Sequence, residues 1–379
     1  MHVLILFSQP WRVGGAETHV EALIAGLSPT HKITLVTNQG GTKEKLEALC
    51  RQYPNLAQFT IQTRGCNPFR WFFDLQKLIG LVKEEKIEVI SAQQRTAGLW
   101  AYFIQKKTKV PFVVTMHDAW HRVHNPQNYA KIFQRMIVVS KNLSQRLIND
   151  FGFSADSIFH IPNGIDFNKF APGNRATARK KLGIGEKITF ILHVSRLSSI
   201  KGAVALTLLE SVPQLVALYP NCRIGVIGEG PLRSEVDAKV QSLNERYGPV
   251  VTVMNFTADL LTWYWAADVV VGEGRVAIEA LACLKPVVAI RNAQTFFGAV
   301  SAQNINEAIQ VNFDGHKLKV SPQELTVQIQ KALTLPAQER QQILEVIQSR
   351  MSAVVMAEQY LQVFETCLRE TQNGKCIAH

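Results

Sequence analysis

The stretch 268-DVVVGEGRVAIEALACLKPVVAI-290 decides the fold. Two short apolar runs, 269–271 and 287–290, flank a helical pattern that opens on a glycine-bracketed acid, Gly272-Glu273-Gly274. Strand, glycine turn, helix and strand together form the unit that builds a parallel sheet with covered faces. One residue sits oddly in it. Glu279 is a carboxylate inside an otherwise apolar helix. Either the helix solvates an ordinary acid, or its start holds a hydroxylated, phosphorylated ligand.

Working outward, the same alternation fills the chain. HVLILFS (2–8) precedes a helix beginning near Ala16, and KITLVTN (32–38) precedes a helix over Lys43–Arg51. QFTIQT leads into the amphipathic FRWFFDLQKLIGLVKEEK, and IEVISAQ, PFVVTMHD and RMIVVS follow. The pattern pauses at IPNGIDFNKFAPGN, where Pro162, Gly164 and Pro172 suit an interdomain connection. It restarts with KITFILHVS (187–195), one helix over 203–219, CRIGVIGEG (222–230), VVTVMNF (250–256) and the opening stretch. The tail from Pro336 is helical, with an apolar face at i, i+3, i+4 spacing. The expected fold is α/β: two Rossmann-like doubly wound domains in tandem.

Composition narrows the function classes. Of 379 residues, 47% are hydrophobic and 19% charged, a globular balance. The net charge is +11. Residues 1–170 carry 20 Lys+Arg against 12 Asp+Glu, and residues 171–379 carry 21 against 18, so the basic excess lies in the first half. Such an excess favours anionic partners, among them phosphorylated ligands and anionic membrane surfaces. No basic run is interleaved with aromatics in the manner of a nucleic-acid surface, so no nucleic-acid partner is expected. The six cysteines show no metal spacing and read as reduced thiols. The start MHVLILFSQPW reads as a first strand rather than a signal peptide, and no segment has the length of a membrane span. A cytoplasmic protein is expected, at most peripheral at the membrane.

In doubly wound sheets ligands sit beyond the carboxyl ends of the strands, so four loops matter. In SQPWRVGGAETHV, Gly14 and Gly15 open a helix whose first turns hold Glu17 and Thr18; this is either a ligand-approach loop or a plain strand–helix turn. In VVTMHDAWHRVH, His117 and Asp118 fall at a strand end facing solvent or a site, while His121 and His124 lack partners at metal spacing. In HVSRLSSIKG, Arg196 and Lys201 are either two solvated cations or a clamp on a diphosphate at a helix start. The opening stretch is the fourth. Its Gly272–Gly274 turn can bring helix-start amides onto a phosphate, and Glu279 can accept two ribose hydroxyls.

Taken in order, these loops resemble the GT-B glycosyltransferases, specifically the large retaining family 4. The resemblance rests on GGAETHV, VVSKNLSQRLINDFG, IPNGIDFNKFAP, HVSRLSSIKG, IGEGPLRSEV and ADVVVGEGRVAIEALACLKPVVA, and it spans about residues 1–315. It implies two domains facing a cleft: residues 1–165 on the acceptor side, 166–355 for the nucleotide sugar, and a helix at 356–379 crossing back to the first domain. It implies that Arg196 and Lys201 grip the donor diphosphate, Glu279 binds the ribose, and His117 contacts the donor sugar. The Gly228-Glu229-Gly230 loop would lie by the base. Gly274, Arg275 and Val276 would meet the donor from the helix start, and Gly14 and Gly15 would lie between acceptor and phosphates. Glu17 and Asp118 fall on the acceptor side.

One departure is plain. The family places a first glutamate eight residues before the second, and here that position is Val271. The nearby acid is Glu273, on a shorter loop; either it substitutes or backbone amides hold the donor sugar. No Asp-x-Asp occurs, so no metal or other cofactor is expected. The implied activity is retaining, metal-independent transfer of a sugar from a UDP-, GDP- or ADP-linked donor to a glycan, lipid-linked or small-molecule acceptor. The alternatives are a nucleotide-sugar epimerase, a phosphorylase, or a catalytically weak nucleotide-binding partner protein. Finally, Phe69, Arg70, Trp71, Phe72 and Phe73, with Lys106, Lys107 and Lys109, either face an anionic membrane or belong to a helix that buries Trp71 and Phe72.

Overall fold

A computed structural model describes residues 1–12, 14–62, 68–120 and 123–373. It divides into two compact units. Unit 1 is Met1–Asp166 with Met351–His379, and unit 2 is Phe167–Arg350.

Unit 1 runs β1 (His2–Pro10), α1 (Gly15–Leu27), β2 (Lys32–Asn38), α2 (Lys43–Gln52), β3 (Leu56–Ile61), α3 (Pro68–Glu84) and β4 (Val89–Ala92). It continues through α4 (Arg95–Thr108), β5 (Phe112–Met116), α5 (Gln127–Ile132), β6 (Met136–Val138), α6 (Lys141–Phe151) and β7 (Ile158–His160). The seven strands form one parallel sheet in the order β3-β2-β1-β4-β5-β6-β7. Both faces are apolar because side chains alternate along each strand. Leu4, Leu6, Ile90, Val114 and Met136 pack with Leu78, Ile104 and Leu147 on one face. Val3, Ile5, Phe7, Val89 and Val113 pack on the other with Leu23, Ile24 and the C-terminal helix.

Unit 2 runs α7 (Arg175–Leu182), β8 (Thr189–Val194), α8 (Lys201–Glu210), α9 (Val212–Leu218), β9 (Cys222–Ile227), α10 (Arg233–Tyr247), β10 (Val251–Met254) and α11 (Leu260–Ala266). It continues with β11 (Val269–Gly272), α12 (Gly274–Ala282), β12 (Val287–Ala289), β13 (Thr295–Phe296), β14 (Gly298–Ala299), α13 (Ile305–Gln310), β15 (Leu318–Lys319), α14 (Pro322–Leu333) and α15 (Ala337–Met351). Its main sheet has the order β10-β9-β8-β11-β12-β14, parallel except for the β12–β14 pair. The single helix expected over 203–219 is two. Pro213 has no N–H to give to the carbonyl four residues back, so the helix breaks at Ser211 and restarts with the proline in its first turn.

The last helix, α16 (Ala353–Gln372), belongs to unit 1. Ser352 caps it, its Oγ accepting from the Val355 N–H at 3.1 Å. The apolar stripe Met356, Ala357, Tyr360, Val363, Phe364 and Cys367 is buried against unit 1. A Cβ on Gly26 of α1 would lie 2.2 Å from the Ala353 carbonyl oxygen, so the close approach of α1 and α16 requires a glycine there.

Candidate active site

Both sheets reverse strand order at a defined point. In unit 2 the switch lies between β8 and β11, and in unit 1 between β1 and β4. At such a point the flanking crossovers leave in opposite directions and open a crevice at the strand carboxyl ends. The predicted loops fall there.

In unit 2 the chain leaves β8 through Ser195–Ile200 and enters α8 at Lys201. Arg196 is exposed, and among the described residues its guanidinium has no partner. Lys201 forms an ion pair with Glu273, which the switch point brings across from the loop after β11. Glu273 is the N-cap residue of α12 in extended conformation, but its carboxylate makes no cap hydrogen bond. Gly274 follows with φ +52°, a left-handed backbone that a side chain would strain. The charge of Glu273 also reaches Asp314, whose carboxyl is raised above its ordinary value by burial and opposed by its partner Arg291 at 2.8 Å.

Glu279 is not the solvated acid that one reading allowed. It is 7% exposed, accepting from the Tyr264 hydroxyl at 2.9 Å and from Arg275 Nη2 at 3.3 Å. Burial, with the Glu279 charge beside it, pushes the Tyr264 phenol well above its ordinary value, so that hydroxyl remains a donor. Val276, one turn before Glu279, closes over Gly272: a Cβ there would meet its Cγ1 at 2.7 Å.

The loop after β9 is fastened to the loop after β8. Leu197 N–H donates to the Glu229 carbonyl at 2.8 Å, and Leu232 N–H donates to the Leu197 carbonyl at 3.0 Å. A Cβ on Gly228 would stand 1.9 Å from the Ser195 carbonyl oxygen, and one on Gly230 2.5 Å from that of Leu197. Both glycines are therefore needed for backbone contact, while the Glu229 side chain is exposed.

Sequence reasoning missed His193. It is buried in β8, with Nδ1 2.8 Å from the Val271 carbonyl and Nε2 2.8 Å from Ser195 Oγ. A carbonyl only accepts, so Nδ1 carries the proton and Nε2 accepts from the serine hydroxyl. Burial holds the ring pKa at about 4; the Val271 bond opposes the shift and the Lys201 charge adds to it. A neutral imidazole thus ties β8 to β11 and holds the first residue of the cation-bearing loop. Its signal was a histidine inside an apolar strand directly before that loop.

In unit 1, Gly14 is the N-cap of α1, and Thr18 Oγ1 donates to its carbonyl at 2.8 Å. The Glu17 carboxylate folds over Gly14, at 2.5 Å from where a Cβ would be, while Gly15 has open space. His117 and Asp118 follow β5 as predicted; Asp118 is exposed and His117 half-buried. His117 Nε2 donates to Gln93 Oε1 at 3.1 Å, and its ring meets that of His19 edge-on at 4.6 Å. Burial, with His19 adjacent, holds His117 well below the ordinary histidine value, the Gln93 bond opposing.

His19, Gln93, Asn163 and Tyr360 were also missed. His19 is buried between Asn163 Oδ1 at 2.8 Å and the Tyr360 hydroxyl at 2.9 Å, and Thr115 Oγ1 meets that hydroxyl at 2.9 Å. Asn163 lies in the IPNG stretch that reads as a connection. Its real setting, with α16 supplying Tyr360, is a buried polar network beneath His117. His121 lies outside the described residues, as do Cys66 and Cys376. Among the described residues no group of three His, Cys, Asp or Glu side chains could hold a metal ion.

Two Rossmann-like units with their polar loops at the switch points define the class of fold, GT-B. Residues 13–169 match the family model described as Glycosyltransferase Family 4, and residues 174–345 match Glycosyl transferases group 1. The chain belongs to the family 4 type of GT-B glycosyltransferases. A D-inositol 3-phosphate glycosyltransferase of Geodermatophilus obscurus is 31% identical over 239 residues, covering 53% of this chain and 51% of that protein. Its namesake from Corynebacterium jeikeium is 33% identical over 251 residues, covering 56% and 59%. The chain thus spans about half the length of the curated relatives it matches. Among solved structures, a glycosyltransferase from Rickettsia africae superposes with a TM-score of 0.77 at 18% identity, covering 97% of this chain and 99% of that one. Anabaena HepE in complex with UDP gives 0.72 at 20% identity, covering 97% and 100%.

Proposed function

We propose that this protein is a retaining glycosyltransferase that moves a sugar from a nucleoside-diphosphate sugar to an acceptor hydroxyl without a metal. The observation that carries the reading is the gathering of Arg196, Lys201 and the α12 helix start at the β8/β11 switch point. Negative charge develops on the diphosphate as the anomeric C–O bond breaks, and preorganised cations and helix-start amides stabilise it. Arg196 and Lys201 would clamp the two phosphates. Glu279 retains acceptor capacity beyond its two present donors, which suits a ribose hydroxyl. The Gly228–Gly230 loop would lie by the base, and Gly274, Arg275 and Val276 by the phosphates.

In this reading the acceptor oxygen bonds to the anomeric carbon on the face the diphosphate leaves. Its proton passes to the departing phosphate oxygen, so no side-chain nucleophile is required. In unit 1 the single N–H of neutral His117 is held by Gln93, which leaves Nδ1 as an acceptor for a sugar hydroxyl, and Gly14, Gly15, Glu17 and Asp118 would serve the acceptor. Relatives named for inositol 3-phosphate, together with the basic first half, make a phosphorylated polyol the first acceptor to screen, ahead of lipid-linked and glycan hydroxyls. The HepE complexes, which hold UDP and UDP-glucose, put uridine donors first.

The test is thermal unfolding with UDP, GDP, ADP and their sugars, followed by transfer assays. A ligand at 100 times its Kd stabilises by about 2.7 kcal/mol. Silence across the panel would refute the donor site. A second reading, a nucleotide-binding partner with little turnover, is favoured by one observation: Glu273 already holds Lys201. Stabilisation by nucleotide without any product would select it.

A further inference from the structure

Beside these sites, and independent of them, α3 and α4 present an unusual face. Phe69, Phe72 and Phe73 lie at i, i+3, i+4 spacing and therefore on one side of α3. They are 77%, 54% and 63% exposed, and Phe103 of α4 is 42% exposed. The sequence reading that buried Phe72 is thereby corrected. The opposite side of α3 (Asp74, Leu75, Leu78, Ile79, Val82) fills the core instead. Trp71 lies between the two sides, packed on Trp100 at 4.9 Å and on Phe103 at 5.0 Å, so the aromatic rings of both helices join in one surface. Phe72 and Phe73 meet edge-on at 6.0 Å, as do Tyr102 and Phe103 at 5.4 Å. Large exposed apolar patches are rare on soluble monomers and mark a contact surface.

The charges at its rim say what the contact is. Arg70 on α3 and Lys106 and Lys107 on α4 are exposed, and Lys109 caps α4, while the exposed Lys77 is paired with Asp74 at 3.9 Å. Lys106 and Lys107 stand three and four residues after Phe103, on the same side of α4. No acid occurs in α4, and Asp74, the acid in the first sixteen residues of α3, is buried. A second copy docked here about a two-fold axis would set these cations against their own counterparts. We propose that this face docks on an anionic lipid bilayer, with Phe69, Phe72, Phe73 and Phe103 entering the interface and the lysine and arginine rim meeting the headgroups. Aromatic residues beside cations on a helix surface have the composition of an interfacial anchor. Among the described residues no single helix is long and apolar enough to cross a membrane.

The test is co-sedimentation of the full chain with vesicles of phosphatidylcholine and of phosphatidylcholine mixed with phosphatidylglycerol. Binding should require the anionic lipid and weaken with salt. Lys106→Glu with Lys107→Glu should weaken binding at least about 25-fold, taking about fivefold for each cation lost. Phe73→Ser should weaken it about tenfold, and Phe72→Ser with Phe73→Ser further. All variants alter exposed side chains and should keep the wild-type melting temperature. Should the double serine variant unfold, the single Phe73→Ser variant carries the comparison. No pelleting with either lipid overturns the proposal, as does binding that the lysine variants abolish and the phenylalanine variants leave intact. A dimer in sedimentation that Phe73→Ser dissolves, without lipid binding, would identify the face as an interface between copies and overturn it equally.

Discussion

Glu279→Ala should separate a structural carboxylate from a ligand-binding one. In the folded protein Glu279 accepts from the wholly buried Tyr264 hydroxyl and from Arg275. Truncation strands the tyrosine hydroxyl in the core, at a cost of about 1–3 kcal/mol. It also removes the carboxylate partner of a mostly buried guanidinium, so a total of about 2–4 kcal/mol is expected. For a unit of the size of Phe167–Arg350, that lowers the melting temperature by roughly 6–12 °C. Tyr264→Phe alone should cost only about 1 kcal/mol. The double variant should then be more stable than the summed single effects by about 1 kcal/mol or more, because no hydroxyl remains to be stranded. Circular dichroism melts read all four proteins. A shift below about 2 °C for Glu279→Ala, or strict additivity, would refute the network. Stabilisation by nucleoside diphosphate should survive in Tyr264→Phe and vanish in Glu279→Ala. If it persists in full in Glu279→Ala, the residue is structural and the ribose reading is wrong.

Three further outcomes follow from the same geometry. Gly228→Ala places a methyl group 1.9 Å from the Ser195 carbonyl oxygen, where only backbone could yield; it should destabilise by about 1–3 kcal/mol and abolish the nucleotide response, and a wild-type melt would contradict the loop contact. His193, with a folded pKa of about 4 against an ordinary 6.5, contributes stability that is complete above pH 6.5 and is lost as the pH falls from there toward 4. The loss should reach about 3 kcal/mol, and His193→Gln should flatten that stretch of the stability–pH curve relative to wild type; parallel curves would show that the ring is not held neutral. Glu273→Ala removes the acid that pairs with Lys201, so bare nucleoside diphosphate should bind roughly fivefold more tightly by titration calorimetry. Weaker binding would mean that Glu273 positions the lysine for the phosphates rather than competing with them.

What the sequence determined by itself is whatever local pattern encodes. Apolar runs with strand length, broken by helices, specify parallel sheets buried on both faces, and the strand ends then locate Arg196, Lys201, Glu273 and His117 without knowledge of the fold. The stripe from Met356 to Cys367 likewise shows which side of α16 is buried, because helical period is a property of neighbours in the chain. Partners are another matter. The Lys201–Glu273 pair joins residues 72 positions apart, and His19 meets Asn163 and Tyr360 across 144 and 341 positions. Burial of Glu279 depended on Tyr264 arriving from a different helix, and exposure of Phe72 on the core choosing the other side of α3. Such contacts carry no periodic trace. They are made only when the crossovers bring distant strand ends together, so the tertiary structure alone decided which predicted residues are charged, neutral, tied or free to meet a ligand.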